Sequence, residues 1–245
     1  MNETIDILKN HRSIRKFKDE SLDGETVREL VGAAQSASTS SYVQAYTIMG
    51  VTDPAKKKAL SEISTQSYVE NNGHLFVFLA DYHRHYELSK DKETPIAYDK
   101  TEQLIVGTVD AALAAQNLAV AAESIGLGMC YIGSLRNDMA KVIDILELPK
   151  GVIPLFGMVV GKPDHAGSRK ERLPFDVIYH ENTYKPVENV KGSIEAYDRE
   201  ISEYYKERSS GRRDDTWSDQ VIGMLSKKQR IDVDAVIKGQ GFLGQ

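Results

Sequence analysis

Residues 101–126 read TEQLIVGTVDAALAAQNLAVAAESIG. Seven alanines fall between positions 111 and 122. Alanine is the strongest helix former, and the segment Thr101 to Ile125 keeps a helical period to its end at Gly126 and Gly128. Its middle is apolar nearly all round. A helix of that kind is expected at the centre of the protein, with other elements packed around it.

Working outward, Met129 to Ile132 reads as a strand, Asn137 to Leu146 as a helix and Val152 to Gly161 as a second strand. Upstream, Tyr46 to Val51 and His74 to Ala80 (HLFVFLA) are short β-branched and aromatic runs bounded by turn formers, hence buried strands. Ala55 to Ile63 and Arg84 to Leu88 are helix-like pieces around them. Asp23 is a good N-cap for a helix carrying Val27, Leu30, Val31 and Ala34, which the polar run Ser36 to Ser41 ends. The chain opens on an amphipathic turn, Thr4 to Lys9. Beyond Gly161 the texture changes: Lys162 to Asn182 is rich in charge, Gly and Pro and reads as an extended arm. Helices are expected around Ile194 to Glu207, Ser218 to Leu225 and Val233 to Ile237. The class is α+β, with a core over residues 1–161 and an arm with a C-terminal extension over 162–245.

The chain has 245 residues and a formal net charge of −5, so no global positive field favours nucleic acid or an anionic membrane. Any anion must be bound locally. One cysteine, Cys130, excludes an intrachain disulfide and a Cys-rich zinc site and gives no sign of an oxidising compartment; the cytoplasm is the expectation. Glu3 and Asp6 interrupt the only apolar stretch at the start, unlike a secretory signal. The uncharged apolar stretches His74 to Ala80 and Ala111 to Ala122 fall short of the roughly 20 residues of a membrane span, so none is expected.

Three local patterns offer anion chemistry. His11-Arg12-Ser13-Ile14-Arg15 packs two guanidiniums, an imidazole and a hydroxyl into five residues, which suits a phosphate or is a solvated basic turn. Lys170-x-Arg172-Leu173-Pro174 sets two cations in the arm, for a clamp or as surface charge. Lys206, Arg208, Arg212 and Arg213 stand against Glu207, a local +3 fit for a dinucleotide 2′-phosphate or for a solvated helix end. Gly126-x-Gly128 lacks the strand-before, helix-after context of a dinucleotide fingerprint. His83 and His85 have no neighbouring carboxylate pair at metal spacing, and no metal site is expected. Cys130, in a strand-like run, reads as a packed thiol.

Eight ordered segments carry a resemblance: H-R-S-I-R at 11–15, the loop ending Ser40-Ser41-Tyr42, Gln66-Ser67-Tyr68, A-A-E-S-I-G-L-G from Ala121, Y-I-G-S-L-R from Tyr131, P-L-F-G from Pro154, K-x-R-L-P from Lys170 and D-T-W-S from Asp215. Together they resemble the FMN-dependent nitroreductase superfamily, in its NADPH-preferring, oxygen-insensitive branch with the NADPH:flavin reductases. The resemblance implies a mostly antiparallel sheet wrapped by helices, a homodimer built on the long helix, and a C-terminal extension embracing the partner. It further implies bound FMN, NADPH as co-substrate, and ping-pong hydride transfer through flavin N5 to nitroaromatics, quinones or flavins. A non-turnover flavin-binding or regulatory protein and a dedicated NADPH:disulfide reductase are the alternatives.

By the same resemblance His11, Arg12, Ser13, Lys170 and Arg172 would hold the FMN phosphate and ribityl chain with Thr39 in support. Arg15 would lie at the N1/O2 edge as electrostatic support, Gln66 at the N3/O4 edge, and the backbone of Tyr131, Ile132, Gly133 and Ser134 near N5/O4. Ser41, Tyr42 and Arg136 would border the substrate, and Arg208, Arg213 and Arg230 would bind NADPH. No general acid or base is implied. Ser134 and Thr39 depart from the family pattern, which has Gly and Ser there.

Overall fold

The computed structural model describes residues 2–96, 100–227 and 229–243. Two compact units emerge: one contains the residues up to Ser168 together with the segment from Arg230 onward, the other is Arg169–Gln229. In chain order the first holds α1 (Glu3–Lys9), α2 (Gly24–Gln35), β1 (Tyr46–Val51), α3 (Pro54–Ser64), β2 (His74–Asp81), α4 (His83–Asp91), α5 (Lys100–Ser124), β3 (Gly128–Ile132), α6 (Met139–Leu146) and β4 (Val152–Gly161). The second holds α7 (Phe175–Ile178), α8 (Lys191–Ser209) and α9 (Trp217–Leu225), after which α10 (Val233–Gly239) belongs to the first again.

The four strands form one antiparallel sheet in the order β1-β2-β4-β3. Its central strand β2 is apolar at every position from Leu75 to Ala80 because both faces are covered. Phe76, Phe78 and Ala80 join Met129, Met158 and the inner face of α5; Leu75, Val77 and Leu79 join Cys130, Ile132 and the α3 and α6 residues Leu60 and Val142. A one-residue register slip would exchange these two sets, so the alternation locks the pairing. Gly107 lets α5 lie close on this sheet, since a Cβ there would stand 2.8 Å from the Ala80 methyl and 3.1 Å from the Ala45 carbonyl.

Three expectations need correction. α5 is not buried all round: Val106, Asp110, Ala114, Leu118 and Ala122 face the core, while Ile105, Val109 and Leu113 are 53%, 44% and 44% exposed. Small side chains on both faces hid this asymmetry from the periodicity. By length and composition α5 is long and apolar enough to cross a membrane; its buried face in the core accounts for that composition. The helix expected from Asn137 starts as a 3₁₀ turn over Gly133–Asp138, and α-helix begins only at Met139, where the Asp138 carboxylate accepts from Lys141 N at 3.0 Å. Finally, the extended arm contains the single turn α7.

His74 gives the first unit a pH dependence. It is 9% exposed, meets the Phe76 ring at a tilt with centroids 4.4 Å apart, and its Nε2 has no hydrogen-bond partner among the described residues. Burial, with the Lys57 ammonium adding repulsion, holds its pKa below the usual 6.5. The unfolded chain therefore takes up this proton first. Stability present above pH 6.5 is lost as the pH falls through that value toward the depressed folded pKa, at no more than about 1.4 kcal/mol per pH unit for one proton. Urea titrations between pH 5 and 8 should show this slope diminished in His74→Phe; an unchanged slope assigns it elsewhere.

In the second unit α8 is the organiser. Tyr197 and Ile201 on one face are 4% and 1% exposed, Tyr197 meets Trp217 edge-on at 6.1 Å, and Asp198 accepts from Ser218 N at 2.9 Å. These contacts tie α9 to α8. Ser193 Oγ donates to Asp176 at 2.6 Å and ties α7 to the other end.

Candidate functional site

The segment 11–15 lies along β3. Ile14 N donates to Met129 O at 2.9 Å, and Ser13 pairs with Met129 as a parallel bridge. Ile14 is 4% exposed and fills the space that Gly128 leaves open, where a Cβ would stand 2.5 Å from Ile14 Cγ1. Burying residue 14 turns its neighbours outward, so Ser13 and Arg15 are both exposed. His11 Nδ1 donates to Glu123 Oε1 at 2.7 Å, which fixes the ring. Arg12 donates to the Asn10 and Ala166 carbonyls at 3.3 and 3.4 Å.

The Arg15 guanidinium also lies near the side chains of Tyr68 and Cys130. Burial pushes the Cys130 thiol and the Tyr68 phenol up, so neither becomes an anion that would cancel the guanidinium. Cys130 should therefore react with a disulfide reagent at pH 8 only at the rate of unfolding. Fast labelling of the native protein would overturn that assignment.

At the far end of β3, Tyr131 is T-shaped on Phe156 and near Gln116, and burial pushes its pKa up to about 12. Ile132 is buried, and Gly133 and Ser134 open the 3₁₀ turn. Arg136 folds back over Gly133, where a Cβ would meet its Nη2 at 3.3 Å, and donates to the Leu155 carbonyl. Arg230 donates to Asn137 Oδ1 at 3.2 Å. Burial and the nearby Arg230 charge lower the Arg136 pKa, yet a guanidinium remains protonated, so two like charges sit side by side. That pair favours an anion.

Gln66 heads the 3₁₀ turn that carries Tyr68 and is thereby brought to the Arg15 side. Thr39, Ser41 and Tyr42 are elsewhere. Their loop leads into β1 beside Ala80 and Ile153, whereas segment 11–15 meets β3 at the opposite corner of the sheet. Along α5, their neighbour Asp110 and the His11 partner Glu123 are 13 residues, roughly 20 Å, apart. One chain thus does not bring Thr39, Ser41 and Tyr42 to His11, Arg12 and Ser13. Lys170, Arg172, Arg208 and Arg213 belong to the second unit, where Lys170 donates to Tyr205 and Arg172 Nη1 to the Lys170 carbonyl at 2.6 Å.

The sequence reading missed two residues. Asp110, fully buried in α5, accepts from Ser40 N at 2.9 Å and Ala45 N at 3.0 Å, and His85 Nε2 donates to Val43 O at 2.9 Å. They clamp a loop in which Ser41, Tyr42 and Gln44 have φ of 48°, 59° and 55°, the left-handed region that non-glycine residues rarely occupy. A lone carboxylate within the core face of an apolar helix was the signal available for Asp110. His83 donates instead to Lys150 O, so the two histidines serve separate contacts.

The donor set suits an FMN phosphate and polar ring edge: hydroxyl, guanidinium and imidazole at one end of β3, backbone amides and arginines at the other. A cleft of about 650 Å³ beside Arg12 is a poorer phosphate seat, since Glu3, Asp6 and Glu123 line it. Among the described residues no cluster of His, Cys, Asp or Glu could hold a metal ion.

Comparison with known proteins fixes the class. Residues 8–162 match the nitroreductase family and residues 170–245 its C-terminal domain, and the chain belongs to that family. It is 49% identical over 246 residues, 99% of both chains, to the FMN reductase (NADPH) of Bacillus subtilis (strain 168). It is also 49% identical over 243 residues, 97% of both chains, to an NADPH-dependent oxidoreductase of Staphylococcus haemolyticus. The solved structure of B. megaterium NfrA1 superimposes with a TM-score of 0.96 at 48% identity, covering 98% of this chain and 99% of that one.

Proposed function

We propose that this chain is an NADPH-dependent FMN oxidoreductase of the cytoplasm that acts as a homodimer on nitroaromatics, quinones or flavins by a ping-pong cycle. The carrying observation is the layout of β3. Ser13, opposite Met129, and Gly133 are four strand residues apart, roughly 13 Å, a span suited to a phosphate at one end and a flavin ring edge at the other. When bound, FMN supplies the redox chemistry, hydride acceptance from NADPH and hydride donation to the acceptor. The protein supplies position and charge.

In this reading His11, Arg12, Ser13, Lys170 and Arg172 bind the phosphate and ribityl end, Arg15 and Gln66 face the two pyrimidine edges, and Tyr131–Ser134 present backbone groups. Arg15, left charged by its protonated neighbours, favours negative charge at the N1/O2 edge. In this reading a second copy supplies Thr39, Ser41 and Tyr42, which lie at the opposite corner of the sheet from segment 11–15. The exposed stripe Ile105, Val109 and Leu113 on α5 is the surface on which that copy would pack. Residues 1–161 form the FMN-binding core, and 162–245 complete the site and bind NADPH through Arg208, Arg213 and Arg230.

NADPH should bleach the bound flavin anaerobically far faster than NADH. Arg208→Ala should weaken NADPH binding by about 1–3 kcal/mol, the worth of a charge-assisted hydrogen bond, without changing FMN content. Equal loss with NADPH and NADH would remove Arg208 from the 2′-phosphate site. A protein that takes up no FMN on titration would remove the whole reading.

A further inference from the structure

Within the unit Arg169–Gln229, two adjacent tyrosines of α8 hold three cations that the proposed function divides between two ligands. Lys170 Nζ donates to the Tyr205 phenol oxygen at 2.7 Å, with Nζ 4.9 Å from the ring centroid. Arg213 takes the same ring by its π system, with Cζ 4.3 Å from the centroid. Tyr204 treats Arg208 similarly: its hydroxyl accepts from Nη1 at 3.0 Å, and the two tyrosine rings meet edge to face at 5.3 Å and 71°. The ion pairs of this unit join Arg169 to Glu171, Lys206 to Glu203 and Arg213 to Asp215. Lys170 and Arg208 are held by phenols.

The helical register explains the arrangement. Tyr197, Ile201 and Tyr205 are spaced by four and share one face of α8. Tyr197 donates to the Glu171 carbonyl at 3.0 Å, while Tyr205, two turns on, receives Lys170. Residues 170 and 171 are therefore pinned to that face at two points. Beyond Tyr205 the helix ends in the left-handed Ser210 and Gly211, and Ser209 Oγ accepts from Arg213 N at 2.8 Å, which returns Arg213 to the Tyr205 ring. A lysine has four rotatable bonds and gains most from an anchored head group, whereas an arginine plane is oriented by a ring beneath it.

We propose that Tyr205 is a positioning residue serving both phosphates of the reaction, its hydroxyl aiming Lys170 at the FMN phosphate and its ring aiming Arg213 at the 2′-phosphate of NADPH. This rests on the roles of Lys170 and Arg213 proposed above. The two features of one side chain separate by substitution. Phenylalanine removes the hydroxyl and keeps the ring; leucine removes both.

The test uses the full-length protein loaded with FMN, or reconstituted with riboflavin, which lacks the phosphate. Flavin retention is read from the fluorescence regained on dilution, and NADPH-over-NADH preference from flavin bleaching. Tyr205→Phe should retain FMN about three- to tenfold less well while riboflavin retention and coenzyme preference stay within about twofold, as expected for one lost hydrogen bond. Tyr205→Leu should lose FMN equally and also lower the preference for NADPH by about fivefold or more, through loss of the cation–π contact. Unchanged FMN retention in Tyr205→Phe, or an equal loss of riboflavin, overturns the proposal, as does unchanged preference in a folded Tyr205→Leu. If Tyr205→Leu fails to fold, Tyr205→Phe alone decides. Lys170→Met and Arg213→Gln are the controls. If the first keeps FMN or the second keeps the NADPH preference, the roles beneath the inference fall and the inference with them; if both controls respond and the Tyr205 variants do not, only the inference falls.

Discussion

Arg12→Ala combined with Lys170→Met should yield a protein that leaves purification without its yellow flavin. Each cation is proposed to make charge-assisted contacts to one phosphate, worth about 1.5–3 kcal/mol, so the pair should cost about 3–6 kcal/mol, on the order of 10²- to 10⁴-fold in FMN affinity. Riboflavin affinity should hardly change. Because two side chains on one phosphate share a partner, their single and double substitutions should be non-additive by about 0.5 kcal/mol or more. Strict additivity would mean that the two residues, distant in sequence, serve separate ligands, and the proposed phosphate seat would be dismantled. Retained colour in the double variant would have the same meaning.

Asp110→Ala is expected to destabilise the first unit by as much as the loss of a large core side chain. Its carboxylate is fully buried and is the acceptor for two backbone N–H groups, those of Ser40 and buried Ala45. Each orphaned donor costs about 1–3 kcal/mol, so about 2–6 kcal/mol is at stake. At 2–4 °C per kcal/mol for a chain of this size, melting should fall by roughly 4–24 °C. Asp110→Asn keeps one acceptor oxygen and should lie between. The loop bearing Ser41 and Tyr42 would lose its clamp, so the KM for the acceptor should rise while bleaching by NADPH changes less. A melting temperature within about 2 °C of the parent, less than 1 kcal/mol, would show that the loop holds itself.

Much of the fold could be read from residue order because local and global preferences agree in it. HLFVFLA is apolar at successive positions, and the strand it forms is covered on both faces. Asp23 caps α2 by accepting from Thr26 N at 2.7 Å. Where the reading failed, the deciding contact was remote. The outward stripe on α5 has the same small and branched side chains as the inward one, and only packing against β2 and α2 distinguishes them. The 3₁₀ turn at Gly133–Asp138 carries Arg136, which folds back to the Leu155 carbonyl, 19 residues away. For the site, the motifs identified side chains but not their neighbours. Neither Tyr205 beneath Arg213 nor Asp110 beneath the loop has a spacing rule, because each partner is fixed by how the chain returns to it.

The loop at Ser41 and Tyr42 is restrained by an aspartate and a histidine that touch only its main chain. Its outward side chains, Tyr42 at 83% exposure among them, therefore carry little of the architecture. Exchanging them for residues that tolerate left-handed backbone, such as Asn, Asp or Gly, should retune which oxidants the protein accepts at small risk to folding, which makes these two positions a practical starting point for a restricted combinatorial library.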